Sequence, residues 1–287
     1  MSCDSATAPI NIVKSIASKC DLKCSVKFNY DVTSVRAENK GDYVRLAFDP
    51  QTIPPVLFNA QKYIVQEARI YQPSLHTFGG QQMAAEMVIT HQNQTSNQNL
   101  LVCVPISNGG GESSSLDVII KQVTQKANTK GSSTNITGST FSLKQIVPNK
   151  PFYNYAGTLP YPPCNGTYEY IVFDKTNALI IADNTWNNLT KIITPSVYST
   201  HNPVGGLFYN DIGPSSLADG DDIYIECNPT GDDGSILIGV PKVISTGGNA
   251  WEQIKNSGML IVIISIAVFA LIITLFDFVS KKLISNS

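Results

Sequence analysis

Histidine is scarce in this 287-residue chain, which contains only three, and charged residues make up only 15% of it. The 20 basic residues are balanced by 22 acidic ones, so the chain lacks the basic excess that is typical of nucleic-acid-binding proteins. Cys20 and Cys24 have no second pair of ligands at the spacing of a structural zinc site. The composition therefore gives no reason to expect nucleic acid as a partner.

Two further signals are missing from the sequence. The amino-terminal residues lack the basic region and the apolar region of a secretory signal peptide. Gly109-Gly110-Gly111 is not followed by the Lys and Ser/Thr of a phosphate-binding loop. With 43% hydrophobic residues, the chain is long and apolar enough to form a substantial core.

One long apolar run lies near the carboxyl end. Residues 259–276 carry no charge, and at about 1.5 Å per residue they would reach roughly 27 Å, close to the hydrocarbon thickness of a bilayer. Lys281 and Lys282 follow the run, which predicts a cytoplasmic tail. We therefore predict a single-pass membrane protein with an outer domain over 1–240, a linker over 241–257, a transmembrane helix over 258–279 and a tail over 280–287.

Short runs with the period of β-strands dominate the first 250 residues. One helix is predicted over 116–127, with Val118, Ile119 and Val123 on one face. The Ser/Thr/Asn/Gly-rich residues 128–141 predict a loop. The predicted fold class is mainly β, of the α+β type, with peripheral helices. The predicted strands are 26–30, 43–48, 63–71, 87–91, 100–106, 168–173 and 223–227.

Three segments carry a family pattern: A-P-I-N-I at 8–12, S-L-H-T…A-A-E-M-V-I-T-H-Q-N at 74–93, and Y-A-G-T-L-P-Y-P-P-C at 155–164. In their order and spacing they resemble the α-carbonic anhydrase family over roughly residues 8 to 230. The resemblance implies a large, twisted, mostly antiparallel sheet with peripheral helices. It also implies a cleft in which three His would hold a catalytic zinc ion.

The resemblance further implies that this zinc site has been lost. The three ligand positions fall on Arg69, Tyr71 and Val88. Arg is a permanent cation and Val has no lone pair, so neither is a zinc ligand. Other active-site positions fall on Asp42, Leu75, Pro160 and Tyr161. We expect a non-catalytic protein without metal or cofactor; an active zinc carbonate dehydratase is the remote alternative.

The chain's three histidines do not rebuild the site. His76 and His91 fall on family positions that are structural, and His201 lies outside the three motifs. Two interpretations of the altered cleft stay open. It is either filled and inert, or a converted binding pocket in which Arg69 contacts an anion and Tyr71 and Tyr161 serve as platforms.

The family's cysteine spacing implies a disulfide between Cys20 and Cys164. Cys24 is a competing partner for Cys164, and no partner is assigned to Cys3 or Cys227. Cys103 lies within an apolar run, which predicts a buried thiol.

The overall architecture resembles a poxvirus envelope protein whose carbonic-anhydrase-like domain binds glycosaminoglycans. We therefore predict a virion membrane protein of a large DNA virus that binds sulfated polysaccharide on host cells. The alternative is a structural virion component that contacts other virion proteins and binds no ligand. The candidate polysaccharide contacts are basic residues of the amino-terminal part: Lys14, Lys19, Lys23, Lys27, Arg36, Lys40 and Arg45.

Overall fold

A computed structural model describes residues 3–20, 24–96, 98–111, 114–137, 141–164 and 166–215. The two α-helices of this part are α1 (Ser115–Lys126) and α2 (Asp183–Ile192). Three short 3-10 helices cover Lys14–Ile16, Leu143–Gln145 and Lys175–Asn177. The strands are β1 (Asn11–Ile12), β2 (Ser18–Lys19), β3 (Val26–Phe28), β4 (Val32–Thr33), β5 (Val35–Asn39), β6 (Val44–Phe48), β7 (Val56–Phe58), β8 (Gln61–Tyr71), β9 (Thr77–Phe78), β10 (Gln81–Gln82), β11 (Ala85–Asn93), β12 (Asn99–Gly110), β13 (Ser133–Asn135), β14 (Phe141–Ser142), β15 (Phe152–Gly157), β16 (Tyr168–Phe173), β17 (Leu179–Ala182) and β18 (Phe208–Asn210).

A 13-stranded sheet organises the described residues. Its main path runs β13-β5-β6-β8-β11-β12-β16-β15-β18-β2, with β17 beside β12 and with β7 joining β3 to β8. Most neighbours are antiparallel, whereas β12 pairs with β16 and β17 in parallel. The predicted class, a mainly β fold with few helices, is confirmed. The predicted strand over 223–227 lies outside the described residues.

The two faces of the sheet bury different side chains. Alternation along β11 sends Met87 and Ile89 into one core and Val88 into the other. The first core is mostly aliphatic and includes the apolar side of α1. The second core contains six buried tyrosines, and α1 and α2 contribute no residue to it. This tyrosine-rich face holds the candidate site.

The predicted helix over 116–127 is confirmed as α1. Ser114 caps it: its hydroxyl accepts from the Asp117 N–H, and the Asp117 carboxylate accepts from the Ser114 N–H. Gly110 ends β12 against β17, where a Cβ would lie 2.6 Å from Ile180 Cγ2. The glycine therefore allows two strands to approach closely.

The predicted disulfide between Cys20 and Cys164 is wrong. Cys164 pairs with Cys3, and Cys20 pairs with Cys24. The Cys3 N–H donates to the Pro160 carbonyl, which fixes the amino-terminal segment beside the loop that carries Cys164.

The prediction of a loop over 128–141 is wrong in part, because β13 lies within this range and pairs with β5. The three polar residues of β13 show no strand period, so the sequence alone did not reveal this strand.

None of the helices formed by the described residues is long and apolar enough to cross a membrane. The predicted span over 258–279, with its linker and tail, lies outside those residues.

Candidate functional site

The positions predicted for the lost zinc ligands come together on the tyrosine-rich face. In the pairing of β8 with β11, Val88 lies opposite Arg69 and Glu86 lies opposite Tyr71. Arg69 and Tyr71 are two residues apart on β8, so their side chains leave the same side of the sheet. The structure therefore places Arg69, Tyr71 and Val88 as neighbours; their correspondence to zinc ligands stays a prediction.

The Arg69 guanidinium fills the middle of this site. Its Cζ lies 4.8 Å from the Tyr43 ring centre and 4.6 Å from that of Tyr161, a cation–π arrangement on both rings. The guanidinium donates to Glu67 Oε1 at 2.6 Å and to the Tyr71 hydroxyl at 3.3 Å. Four side chains therefore hold this one cation.

Glu67 connects Arg69 to a row of charges that runs across β8, β6 and β5. Its second oxygen accepts from Arg45 Nε at 2.5 Å, and Arg45 also lies 3.7 Å from Glu38, which binds Lys40 at 2.7 Å. Burial raises the pKa of Glu67, but the two arginines outweigh it and lower the pKa below its ordinary value. Burial opposes the charge of Arg69, but the hydrogen bond to Tyr71 and the charge of Glu67 raise the pKa of Arg69 above its usual value.

Tyrosines enclose the cation. Tyr198 packs edge-on against Tyr71 and Tyr161, at 6.4 and 6.1 Å between ring centres. Burial raises the pKa of Tyr71 and of Tyr161 well above the ordinary value, so both hydroxyls stay protonated at neutral pH. Glu67 is thus the anion paired with Arg69. Below we call Tyr43, Glu67, Arg69, Tyr71, Tyr161 and Tyr198 the cleft cluster.

The predicted supporting positions surround the cleft cluster. Leu75 is buried, and its N–H donates to Glu86 Oε2 at 2.7 Å. Pro160 is buried and accepts from the Cys3 N–H. Asp42 is exposed; burial, and then the charge of Asp42, raise the pKa of Tyr198.

The donor set at the predicted ligand positions does not fit zinc. Zinc needs neutral imidazole, thiolate or carboxylate donors, and Arg69, Tyr71 and Val88 supply a cation, a protonated phenol and an alkyl group. His76 and His91 cannot replace them together. His76 contacts Tyr155 and Tyr170 of the tyrosine-rich core, whereas His91 bonds Tyr30 of the helix-covered core.

Two buried histidines are structural, as the resemblance implied. His76 bonds Glu86 through Nδ1 and the Tyr155 hydroxyl through Nε2, both at 2.7 Å. Within the described part of the chain, the group of residues close enough to share a metal ion is His76, Glu86 and Cys103. Both His76 nitrogens are already hydrogen-bonded, so this group forms a buried polar network. Cys103 is a buried free thiol, which confirms that prediction.

The candidate polysaccharide contacts do not form one patch. Lys19 lies on β2 at one end of the main sheet path, and Arg36 lies on β5 near the other end. Eight inter-strand steps separate β2 from β5, roughly 40 Å along the sheet. Lys40 and Arg45 are held by acidic neighbours, and Lys23 lies outside the described residues.

A pocket of about 310 Å³ opens beside the cleft cluster. It is lined by charged residues (Arg45, Glu67 and Arg69), polar residues (Gln66, Thr90, Gln92 and Asn99), and Leu101, Leu159, Tyr161, Pro162, Pro163 and Tyr168. Its two arginines share Glu67, so one carboxylate of the lining is paired with two cations.

Sequence reasoning missed three members of the cleft cluster. Glu67 could have been found, because it alternates with Arg69 on the same predicted strand. Tyr43 lies in the predicted strand over 43–48, and nothing in the sequence links it to the site. Tyr198 follows α2 in a segment without regular structure, and no local pattern links it to β8.

Comparison with known proteins gives consistent results. The model of the eukaryotic-type carbonic anhydrase family matches residues 2–204. Alpha carbonic anhydrase 7 of Arabidopsis thaliana is 22% identical over 151 residues, or 53% of this chain and 54% of that protein. Carbonic anhydrase 12 of Homo sapiens is 30% identical over 112 residues, or 35% and 31%. The chain thus spans about a third to a half of these relatives' length.

Solved structures share the fold. The α-carbonic anhydrase from Thermovibrio ammonificans, solved with sulfanilamide, superposes with a TM-score of 0.58 at 19% identity, covering 71% of this chain and 86% of that one. Dioscorin complexed with ascorbate gives a TM-score of 0.62 at 17% identity, covering 75% and 88%. Since the family model matches well over half of the chain, this protein belongs to the eukaryotic-type carbonic anhydrase family.

Proposed function

We propose that this chain is a non-catalytic carbonic anhydrase family member that binds sulfated polysaccharide on host cells from the membrane of a large DNA virus. The observation that carries the loss of catalysis is the Arg69 guanidinium, held by Glu67 and two tyrosine rings. A cation in that place repels a second cation, and four side chains hold it there. We infer that the predicted ligand positions are filled and inert, the first of the two interpretations, whereas the space that remains is the neighbouring pocket of about 310 Å³, which Arg69 also lines.

The proposal predicts that the purified full-length chain holds no stoichiometric zinc. We expect elemental analysis to find well under one zinc per chain. The variant Arg69→His/Tyr71→His/Val88→His should gain about one zinc, because three imidazoles on paired strands suit a tetrahedral ion.

The control is Lys62→His/Lys121→His/Lys175→His, which adds three imidazoles at exposed positions on three separate elements without a predicted ligand role. One zinc per wild-type chain, or carbon dioxide hydration by that chain, would show that the proposed loss of catalysis is wrong. Equal zinc in the two triple variants would reject the predicted ligand positions.

Attachment is supported by one part of the basic surface. Lys14 and Lys19 are exposed near β2 and β18, and Lys14 Nζ lies 4.7 Å from the Tyr209 ring centre. Neither lysine is ion-paired with an acidic residue of the described ranges. Lys14 lies over an aromatic ring and is close enough to Asp174 to help lower the pKa of that carboxyl, but neither Lys14 nor Lys19 is held in an ion pair as Lys40 and Arg45 are. These two lysines therefore suit a sulfated sugar chain better than Lys40 and Arg45.

The test is binding of the full-length chain to cells with and without surface glycosaminoglycans, over a salt series. We expect saturable binding that requires the glycans and weakens as salt rises. Lys14→Ala/Lys19→Ala should weaken it at least tenfold, whereas Lys121→Ala/Lys126→Ala on α1 should leave it unchanged. Absence of binding by folded protein would reject attachment and favour the structural virion role.

A further inference from the structure

A groove opens where β5 and β6 part. These strands pair from Asn39 opposite Val44 to Val35 opposite Phe48. On one side the chain comes from β4, which pairs with β14, and on the other it continues to β7, which pairs with β8. Residues 31–35 and 49–53 line the resulting groove of about 520 Å³. We call it the fork groove.

The fork groove has an apolar floor and an apolar rim. Val35 and Phe141 line it and are buried, and the Phe141 ring stacks on Phe48 at 6.2 Å. On the rim, Val32 is 65% exposed and Ile53 is 71% exposed. Two exposed aliphatic side chains facing one groove mark a surface for contact with another molecule.

One wall of the fork groove is a strand edge. Within the described ranges β4 has β14 as its strand partner. β13 pairs with β5, and the Ile136 N–H just after β13 donates to the Val35 carbonyl, so β13 and β14 lie along the same side of β4 and β5. The opposite edge of β4 has no strand beside it within the described ranges, because β6 pairs with β5 but not with β4. Such an edge can accept an added strand.

The fork groove is acidic. Asp31 and Asp49 line it, and neither carboxylate makes an ion pair or hydrogen bond with any residue that the structure describes. The lining contains no Lys or Arg. Arg36, next to Val35, donates to Ser133 Oγ. Arg36 also lines the adjoining cavity that Asp49 shares. The groove thus offers two carboxylates without an ion pair beside the exposed aliphatic side chains of Val32 and Ile53.

We propose that the fork groove binds an extended peptide segment of a partner protein in which Lys or Arg alternates with aliphatic residues. The segment adds to the free edge of β4. Its aliphatic side chains cover Val32 and Ile53, and its cations pair with Asp31 and Asp49. The lining of the fork groove does not include Arg69, Tyr71 or Val88, so this proposal does not depend on the function proposed above.

The test uses the full-length chain and a fluorescein-labelled peptide, Val-Lys-Val-Arg-Val, in a polarisation titration. We expect saturable binding that weakens with salt, and no binding of the matched peptide Val-Glu-Val-Asp-Val. Asp31→Asn/Asp49→Asn should weaken binding at least tenfold, and Ile53→Ser several-fold. The controls are Asp4→Asn/Asp211→Asn and Ile212→Ser, which alter exposed residues outside the groove.

Three results would overturn the proposal. They are no saturable binding of the basic peptide, equal binding of the acidic peptide, and binding unchanged by the groove variants. If instead the chain forms a dimer that Ile53→Ser dissociates, a second copy is the occupant and the proposal is wrong. All groove variants change exposed side chains, so an unaltered melting temperature will confirm that each one is folded.

Discussion

At the scale of the residue, position 69 decides the chemistry of the cleft. Arg69 cannot release its proton in a protein, and its side chain is only 19% exposed. A cation so placed requires an anion, which Glu67 supplies on the same strand. The pair makes the cleft a packed region whose charges stabilise each other.

Replacing Glu67 by Gln should therefore destabilise the protein. The change leaves Arg69 without its anion, and we expect a loss of about 2 kcal/mol in the free energy of unfolding at pH 7, measured by urea denaturation. The pKa of Glu67 is lowered in the fold. Its stabilisation is therefore present above the unfolded pKa and is lost as pH falls through the folded one, so the difference should shrink in acid.

Glu38→Gln is the matched control for this prediction. Glu38 joins the same row of charges, but its pair with Lys40 is more exposed, and exposed pairs contribute at most about 1 kcal/mol. Equal losses in the two variants would contradict a special role for Glu67.

At the scale of the element, strands with alternating or sustained apolar residues can be predicted from the sequence, and short polar strands cannot. β8, β11 and β12 each contain about nine or more residues, enough to show a period of two or a sustained apolar run. β13 has three polar residues and is a strand only because β5 lies beside it. Pairing with a neighbour, not intrinsic propensity, forms such an element.

The two disulfides can be tested by peptide mapping and by substitution of their cysteines. A peptide map under non-reducing conditions should find Cys3–Cys164 and Cys20–Cys24, with Cys103 free. Because Cys3 and Cys164 are 161 positions apart, Cys3→Ser should cost up to about 5 kcal/mol in the loop-entropy model, and Cys20→Ser about 2. A crosslink from Cys20 to Cys164 would contradict the structure.

At the scale of the whole molecule, stability should fall in mild acid. Burial lowers the pKa of His91 to about 4 in the fold, against about 6.5 in the unfolded chain. As the pH falls, the imidazole is therefore protonated in the unfolded state first. The stability that neutral His91 contributes above pH 6.5 is lost between pH 6.5 and pH 4, by up to about 3 kcal/mol in the free energy of unfolding. Unfolding midpoints from pH 7 to pH 4 measure this loss.

Two variants separate His91 from other titrating groups. His91→Phe should flatten the pH dependence over this range, at the expense of the hydrogen bond to Tyr30. Thr90→Val, which changes the residue next to His91 and no titrating group, should keep the wild-type slope. An unchanged slope in His91→Phe would assign the acid sensitivity to the carboxylates.

The sequence by itself determined the mainly β class, α1, the buried Cys103 and the family resemblance, because these depend on periodicity, local apolarity and motif spacing. It also predicts that three imidazoles do not meet in the cleft, since the chain has three His and the resemblance assigns two of them to structural positions. Tertiary structure alone decided that the rings of Tyr43 and Tyr161 hold Arg69, that Cys3 pairs with Cys164, and that β5 and β6 part to form the fork groove. These features join residues from separate segments of the chain, and only packing of the folded sheet brings such residues together.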